Sequence, residues 1–266
     1  MKTIVITGAA SGIGRATAML FAQKGWYVGL FDIDGGRLAA LAGEIGESRC
    51  CRGRMDVADR ASVERALAHL AASSGGQIDV LFNNAGILKV GFFDELTLDE
   101  QVREVDVNLK GVLHCTYAAL PYLQKTKDSR VIGMSSASAI YGTAHLAVYS
   151  ATKAAVSSLT ESLNLELERL GIHVCDIRVP YVRTPLLETP IRAASLKALG
   201  ARLAPDDVAA MVYACLKSRK VHYESMGMHP LLLLRRLAPV WLQRLVLKPI
   251  MMPKQKTALN LHREEK

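Results

Sequence analysis

Tyr149 and Lys153 stand in Y-x3-K spacing, and Ser136 lies thirteen positions before the tyrosine. The stretch from Tyr149 to Val156 reads as the start of a helix, where positions i and i+4 share one face. A phenol and an ammonium are thereby aimed at the same small volume. A free tyrosine has a pKa near ~10 and is a poor base at neutral pH, whereas a cation beside it favours the phenolate and lowers that value. The predicted chemistry is proton transfer, with Ser136 holding the oxygen that gains or loses the proton. An isolated Y-x3-K is more often two residues that merely share a helix surface, so the rest of the chain must carry the argument.

Its first turn holds a second chemical signal. The run Thr7-Gly8-Ala9-Ala10-Ser11-Gly12-Ile13-Gly14 follows a strand-like segment and opens a helix-like one. Glycines let the backbone turn tightly and approach a pyrophosphate, whose charge is met by the helix N-terminus. Some twenty residues on, Asp32 ends the second strand-like run, where a carboxylate can accept hydrogen bonds from a ribose and repel a 2′-phosphate. This favours NAD over NADP. Arg15 and Arg37 are the cations that would argue for NADP; either is equally well a surface charge.

These residues need a scaffold, and the chain supplies an alternating one. Strand-like runs are predicted at 3–7, 27–32, 49–55, 78–83, 130–135, 173–179 and 220–223, and helices at 13–24, 36–45, 60–72, 99–124, 147–170 and 206–217. Asp59 and Pro205-Asp206-Asp207 are helix-start signals. Repeated βα order predicts a mostly parallel seven-stranded sheet covered by helices on both faces. With 266 residues and half of them hydrophobic, the chain is large enough for one sizeable core. Its first ten residues read as a strand ending in glycine, not as a secretory signal. The five cysteines, at irregular positions, have neither metal-ligand nor disulfide-framework spacing and are expected to be reduced, mostly buried thiols of a cytoplasmic protein. No metal site is predicted.

With the glycine turn, the acid and the Ser/Tyr/Lys spacing on one chain, the sequence resembles the short-chain dehydrogenase/reductase family over about residues 1–225. Further matches follow in chain order: Asp56-Val57, Asn83-Asn84-Ala85-Gly86 and Asn108. The resemblance implies a single-domain, doubly wound Rossmann fold. It implies Tyr149 as general acid or base, Lys153 lowering its pKa and binding the nicotinamide ribose, Ser136 orienting the substrate oxygen, and Asn108 supporting the proton relay. Gly8, Ser11, Gly12, Ile13, Gly14, Asp32, Asp56, Val57, Asn83, Ala85 and Gly86 would contact the dinucleotide, with Val182 and Thr184 at the carboxamide. Where the family usually has Pro-Gly after strand six, this chain has Val179-Pro180. Tyr141, Leu146, Leu186 and Leu187 fall where the family walls its substrate pocket, and their apolar character suggests a lipophilic secondary alcohol or ketone; His145, in a loop expected to face the substrate, is a candidate contact for a polar group there. The family also implies a homodimer or homotetramer.

Three alternatives stand beside this reading. The extended branch of the superfamily shares Y-x3-K but has a different glycine spacing and a larger C-terminal domain. A non-catalytic NAD-binding protein has no need of the full Ser/Tyr/Lys/Asn set. An NADP-dependent carbonyl reductase is the remaining variant.

Residues 226–266 form a separate extension. From Lys217 onward there are 11 Lys and Arg against 3 acids, while residues 1–216 carry 22 of each. Basic character thus belongs to the tail alone, which disfavours a nucleic-acid surface. Arginines and prolines interrupt each apolar run, so no span is expected. Arg244 and Lys248 are predicted to oppose Trp241, Leu242, Leu245 and Val246 on an amphipathic helix. Such a segment suits peripheral contact with an anionic membrane, or alternatively covers the substrate entrance or packs on a partner subunit. Residues 254–266 are expected to fray.

Overall fold

The computed structural model describes residues 1–188 and 193–252. Seven strands, β1 (Thr3–Thr7), β2 (Tyr27–Asp32), β3 (Cys50–Arg54), β4 (Val80–Asn83), β5 (Ser129–Met134), β6 (Ile172–Arg178) and β7 (His222–Glu224), form one sheet in the order 3-2-1-4-5-6-7. Every neighbouring pair is parallel. The helices are α1 (Gly12–Gln23), α2 (Gly35–Ile45), α3 (Arg60–Ser73), α4 (Leu98–Val105), α5 (Gly111–Leu123), α6 (Ala147–Glu168), α7 (Ala194–Leu199), α8 (Pro205–Ala214), α9 (His229–Leu237) and α10 (Val240–Met251).

Alternation along the strands builds two core layers. Ile4 and Ile6 of β1 pack with apolar residues of α1, α2 and α8, while Val5 between them packs with α3, α5 and α6. Both faces are covered, which is why the strands read as nearly continuous apolar runs. Helix starts follow the predicted signals. The Asp59 carboxylate accepts from Ala61 N, and Pro205 opens α8 while Asp207 accepts from Ala204 N at 2.8 Å. All five cysteines are buried and unbridged.

One predicted helix is not continuous. The segment expected at 99–124 is α4 and α5 joined by a π turn, Asp106–Lys110, whose wider loop carries one extra residue. This turn aims Asn108 inward, where its Oδ1 accepts from Ile87 N at 2.8 Å and its Nδ2 donates to Ile87 O at 2.9 Å. Helix propensity alone could not have shown the bulge, because its reason is a backbone partner twenty-one residues away.

Strand order reverses between β1 and β4, opening a crevice at the carboxyl ends of the strands. The tail closes part of it. Ile140, Tyr141, Met228 and Leu247 form a third apolar cluster, with Leu231, Leu234 and Met251 packed on it, and the Tyr141 hydroxyl donates to Leu231 O at 3.3 Å. Gln243 ties the two tail helices by donating to Ala238 O and Arg235 O. The predicted facing of α10 is corrected here. Its buried positions are Gln243 and Leu247, so Trp241, Leu245 and Val246 are exposed alongside Arg244 and Lys248, not opposed to them. Packing on Tyr141 selects the inward face, and the cations take no part in that choice. The fraying expected of residues 254–266 falls outside the described residues.

Candidate active site

The glycine turn is shaped by close backbone approach. Gly8 and Gly12 have φ of +67° and +51°, in the left-handed region that favours glycine. A Cβ on Gly14 would lie 2.0 Å from the Gly8 carbonyl oxygen, so only glycine fits there. The Asn84 side chain holds the turn from the next strand, donating to Thr7 O at 2.9 Å and Gly8 O at 3.0 Å. Asp32 holds it from the other side: one carboxylate oxygen accepts from Ala10 N at 2.9 Å and the other from Asp34 N at 3.1 Å.

This turn is one wall of a cavity of about 420 Å³. Gly8, Ser11, Gly12 and Ile13 line it from the turn, Asp32, Asp56 and Val57 from the ends of β2 and β3, and Ala85 and Gly86 from the loop after β4. Ser136, Tyr141, Tyr149 and Lys153 line it from the β5 side, and Val182, Thr184, Leu186 and Leu187 from the loop after β6. The cradle fits a dinucleotide: the turn brings the backbone of Gly8, Ser11, Gly12 and Ile13 to the cavity wall, and the first-turn amides of α1, which have no intrahelical partners, are suited to an anion there. Beside it, burial favours the neutral form of the Asp56 carboxyl, but the Arg103 guanidinium at 2.8 Å and the Ala58 amide outweigh it and hold the pKa below the ordinary value.

Two predicted contacts are corrected. Asn83 is turned away, its Nδ2 donating to Thr116 Oγ1 at 3.0 Å inside the core, and Asn84 is the asparagine at the cavity wall. His145 is also not part of the wall. It takes a left-handed φ of +68° and stacks edge-on against Phe92 at 4.4 Å between centroids. Alternation along β4 decides the first case and the loop's reversal the second.

The proton-transfer set does converge. The Ser136 hydroxyl donates to Ser138 Oγ and accepts from Ser138 N, both at 3.2 Å, and lies close enough to the Tyr149 phenol to favour its ionised form. Lys153 is buried, lies 5.5 Å from the centre of the Tyr149 ring and donates to Met134 O at 2.8 Å. Burial dominates both groups. It pushes the tyrosine up from its ordinary value, against the nearby Ser136 hydroxyl, and drives the lysine down to about 8, against the pull of Glu104. The expected lowering of the phenol by Lys153 is therefore not seen: burial of the phenol prevails, and the ammonium is bonded to a carbonyl.

The family model for short chain dehydrogenases matches residues 2–194. The chain belongs to the short-chain dehydrogenase family. It is 39% identical over 176 residues to oxidoreductase UcpA of Salmonella typhimurium, an alignment covering 65% of this chain and 66% of that protein. A sorbitol dehydrogenase of Cereibacter sphaeroides is 39% identical over 174 residues, covering 65% and 67%. Among solved structures, a 3-ketoacyl-(acyl-carrier-protein) reductase of Brucella melitensis complexed with NADH superposes with a TM-score of 0.77 at 30% identity, over 84% of this chain and 96% of that one. A short-chain dehydrogenase of Burkholderia phymatum in complex with NAD has a TM-score of 0.81 at 24% identity, over 96% and 98%, a likeness of fold.

Within this short-chain dehydrogenase, the tail takes one of the places weighed for it from the sequence: Leu231, Leu247, Ile250 and Met251 line the cavity. Sequence reasoning passed over two features of the site. Asn84 is one, although its place in the quoted Asn83-Asn84-Ala85-Gly86 run was a signal. Glu104 is the other. It is buried on α4, accepts from Lys89 N at 3.0 Å, and burial pushes its carboxyl up to about 7 despite that bond and the attraction of Lys153 and Lys89.

Proposed function

We propose that the protein interconverts a lipophilic secondary alcohol and its ketone with NAD(H). The observation that carries this reading is the convergence of Ser136, Tyr149 and Lys153 on the cavity that begins at the glycine turn. When bound, the nicotinamide supplies hydride transfer and, oxidised, a positive charge. In oxidation Tyr149 accepts the hydroxyl proton as the hydride leaves the carbinol carbon; in reduction the same phenol returns it. Ser136 orients the substrate oxygen, Lys153 balances charge behind the phenol, and Asn108 acts through the backbone it positions. Holding these groups in place is the protein's main contribution.

Asp32 supports NAD as the preferred cofactor, since its charge stands at the cavity wall beside the glycine turn. Both rival cations already face carboxylates, Arg15 with Glu44 at 2.6 Å and Arg37 with Asp34 at 3.4 Å, which makes each a weaker partner for a 2′-phosphate. Apolar walls from Leu186, Leu187, Leu231, Leu247 and Met251 support the lipophilic substrate. The same proposal includes a cytoplasmic protein, homodimeric or homotetrameric by analogy with its family, that touches membranes peripherally. Among the described residues no helix is long and apolar enough to cross one.

The test is the absorbance of reduced nicotinamide while the protein meets NAD and secondary alcohols graded from short polar chains to steroids and long hydroxyacyl compounds. Turnover should rise with apolar size. Tyr149→Phe should lower kcat by at least about 100-fold while NAD still binds by calorimetry; a variant with normal turnover would remove the tyrosine from its role.

A further inference from the structure

The segment formed by α9 and α10 has two working faces. Its inner face, with Leu231, Leu247, Ile250 and Met251, is part of the cavity wall. On its outer face Leu233, Leu237, Trp241 and Leu245 are 58%, 70%, 68% and 67% exposed. Leu233 and Leu237 are one helical turn apart, as are Trp241 and Leu245, so each pair forms a stripe on its helix. Arg236, Arg244 and Lys248 are exposed on the same two helices. From Ser225 to Arg263 the sequence holds seven Lys and Arg and no acid. Only one helix thickness, about 10 Å, separates the outer stripes from the cavity.

We propose that the outer face of this two-helix segment docks on an anionic lipid bilayer and that the segment is the door through which a membrane-dissolved alcohol or ketone reaches the cavity. The substrate half of this proposal rests on the lipophilic reading given above. Charge selects the occupant. Exposed apolar residues interleaved with cations, without acids, match the acyl boundary and the phosphate level of an anionic leaflet. A second copy of the chain would set cations against cations, which disfavours a symmetric pairing on this face.

The protein carries its own reporter. Of its two tryptophans, Trp26 is 8% exposed in the core and Trp241 is 68% exposed on the outer face. The experiment adds vesicles of phosphatidylcholine, with and without phosphatidylglycerol, to the full-length protein and follows tryptophan emission and co-sedimentation. The anionic vesicles should bring the protein down, shift Trp241 emission to the blue and make it quenchable by brominated lipid; high salt should weaken binding. Leu237→Ser with Leu245→Ser, and separately Arg236→Glu with Arg244→Glu, should each reduce binding at least 10-fold with the thermal midpoint unchanged. Absence of sedimentation and of any spectral shift would overturn the proposal, as would self-association broken by the same substitutions with no vesicle binding.

The door is read separately. A lipophilic secondary alcohol dissolved in the vesicles should be oxidised at least 10-fold faster by the native protein than by the Leu237/Leu245 double variant, while turnover of a short water-soluble alcohol stays equal. Equal rates on both substrates would overturn the door while leaving the docking. Vesicle binding needs neither substrate nor cofactor, so it also stands or falls independently of the oxidoreductase reading.

Discussion

On the glycine-turn side of the cavity the surface is made largely of backbone, pinned by two side chains, Asn84 and Asp32, that reach it from neighbouring strands. On the tail side it is made of apolar side chains brought from residues some ninety positions away, as the Tyr141 to Leu231 contact shows. Backbone geometry tolerates almost no change, whereas an apolar wall tolerates a good deal provided volume is kept. The cofactor side of the crevice is therefore the rigid side, and the substrate side is the one open to variation.

The strongest way to break that contrast is Gly14→Ala. Its Cβ would meet Gly8 O at 2.0 Å, so the turn must open, at a cost of about 3 kcal/mol or more and with loss of dinucleotide affinity. Gly142→Ala, with nothing within 4 Å of the added carbon, should change stability by less than about 0.5 kcal/mol. Paired thermal melts and NAD titrations check both; a stable, NAD-binding Gly14→Ala would show that the turn is not the rigid element described here.

A smaller effect is expected from Leu247→Ala on the tail side. KM for an apolar alcohol should rise about 10-fold with NAD affinity unchanged; an equal loss in both would mean that the two walls act as one unit.

Asp32→Ala probes where the two sides meet backbone control. The preference for NAD over NADP should narrow by about 10-fold, the effect of removing one charge of repulsion. Affinity for both dinucleotides should also fall, because Ala10 N loses its acceptor. An unchanged ratio of kcat/KM values would leave the selection of NAD to some other residue.

The mildest change is Glu104→Gln. Burial has moved this carboxyl from 4.5 up to about 7, so folding disfavours its ionised form. The penalty is absent below the ordinary value, grows as pH rises through that window and is complete above about 7. Glu104→Gln should therefore be more stable than the native protein at pH 8 by about 1–2 kcal/mol after solvent screening, the difference vanishing near pH 4.5. Removing the negative charge also relieves the Tyr149 phenolate, so the alkaline-rising limb of turnover should move to lower pH. Stability curves that run parallel at all pH values would show that Glu104 is not buried as a carboxylate.

What could be read without coordinates follows the same division. The alternation of strands and helices, the glycine turn, Asp32 and the Ser136/Tyr149/Lys153 spacing depend on local pattern and fixed offsets, and these were legible. Asn83 was chosen over Asn84 because spacing does not say which of two adjacent residues on a strand faces the crevice. His145 was misplaced because its left-handed backbone turns the ring onto Phe92. Trp241 and its neighbours were assigned to the wrong face of α10 because an amphipathic pattern shows that a helix has two faces but not which one a distant tyrosine will bury. The lowered phenol pKa failed for a related reason, since proximity along a helix reveals neither how deeply the phenol is buried nor that the lysine already has a carbonyl partner.

The π turn between α4 and α5 can also be regarded as an insertion of one residue that the fold has kept. Deleting a residue between Asp106 and Lys110 would restore a regular helix and heal its hydrogen-bond ladder, yet it would rotate one flank against the other by about 100°. Asn108 would swing off Ile87, and Gly111 would no longer meet Val57. Shortening the chain here would thus cost the site its asparagine even though the local helix would gain from it.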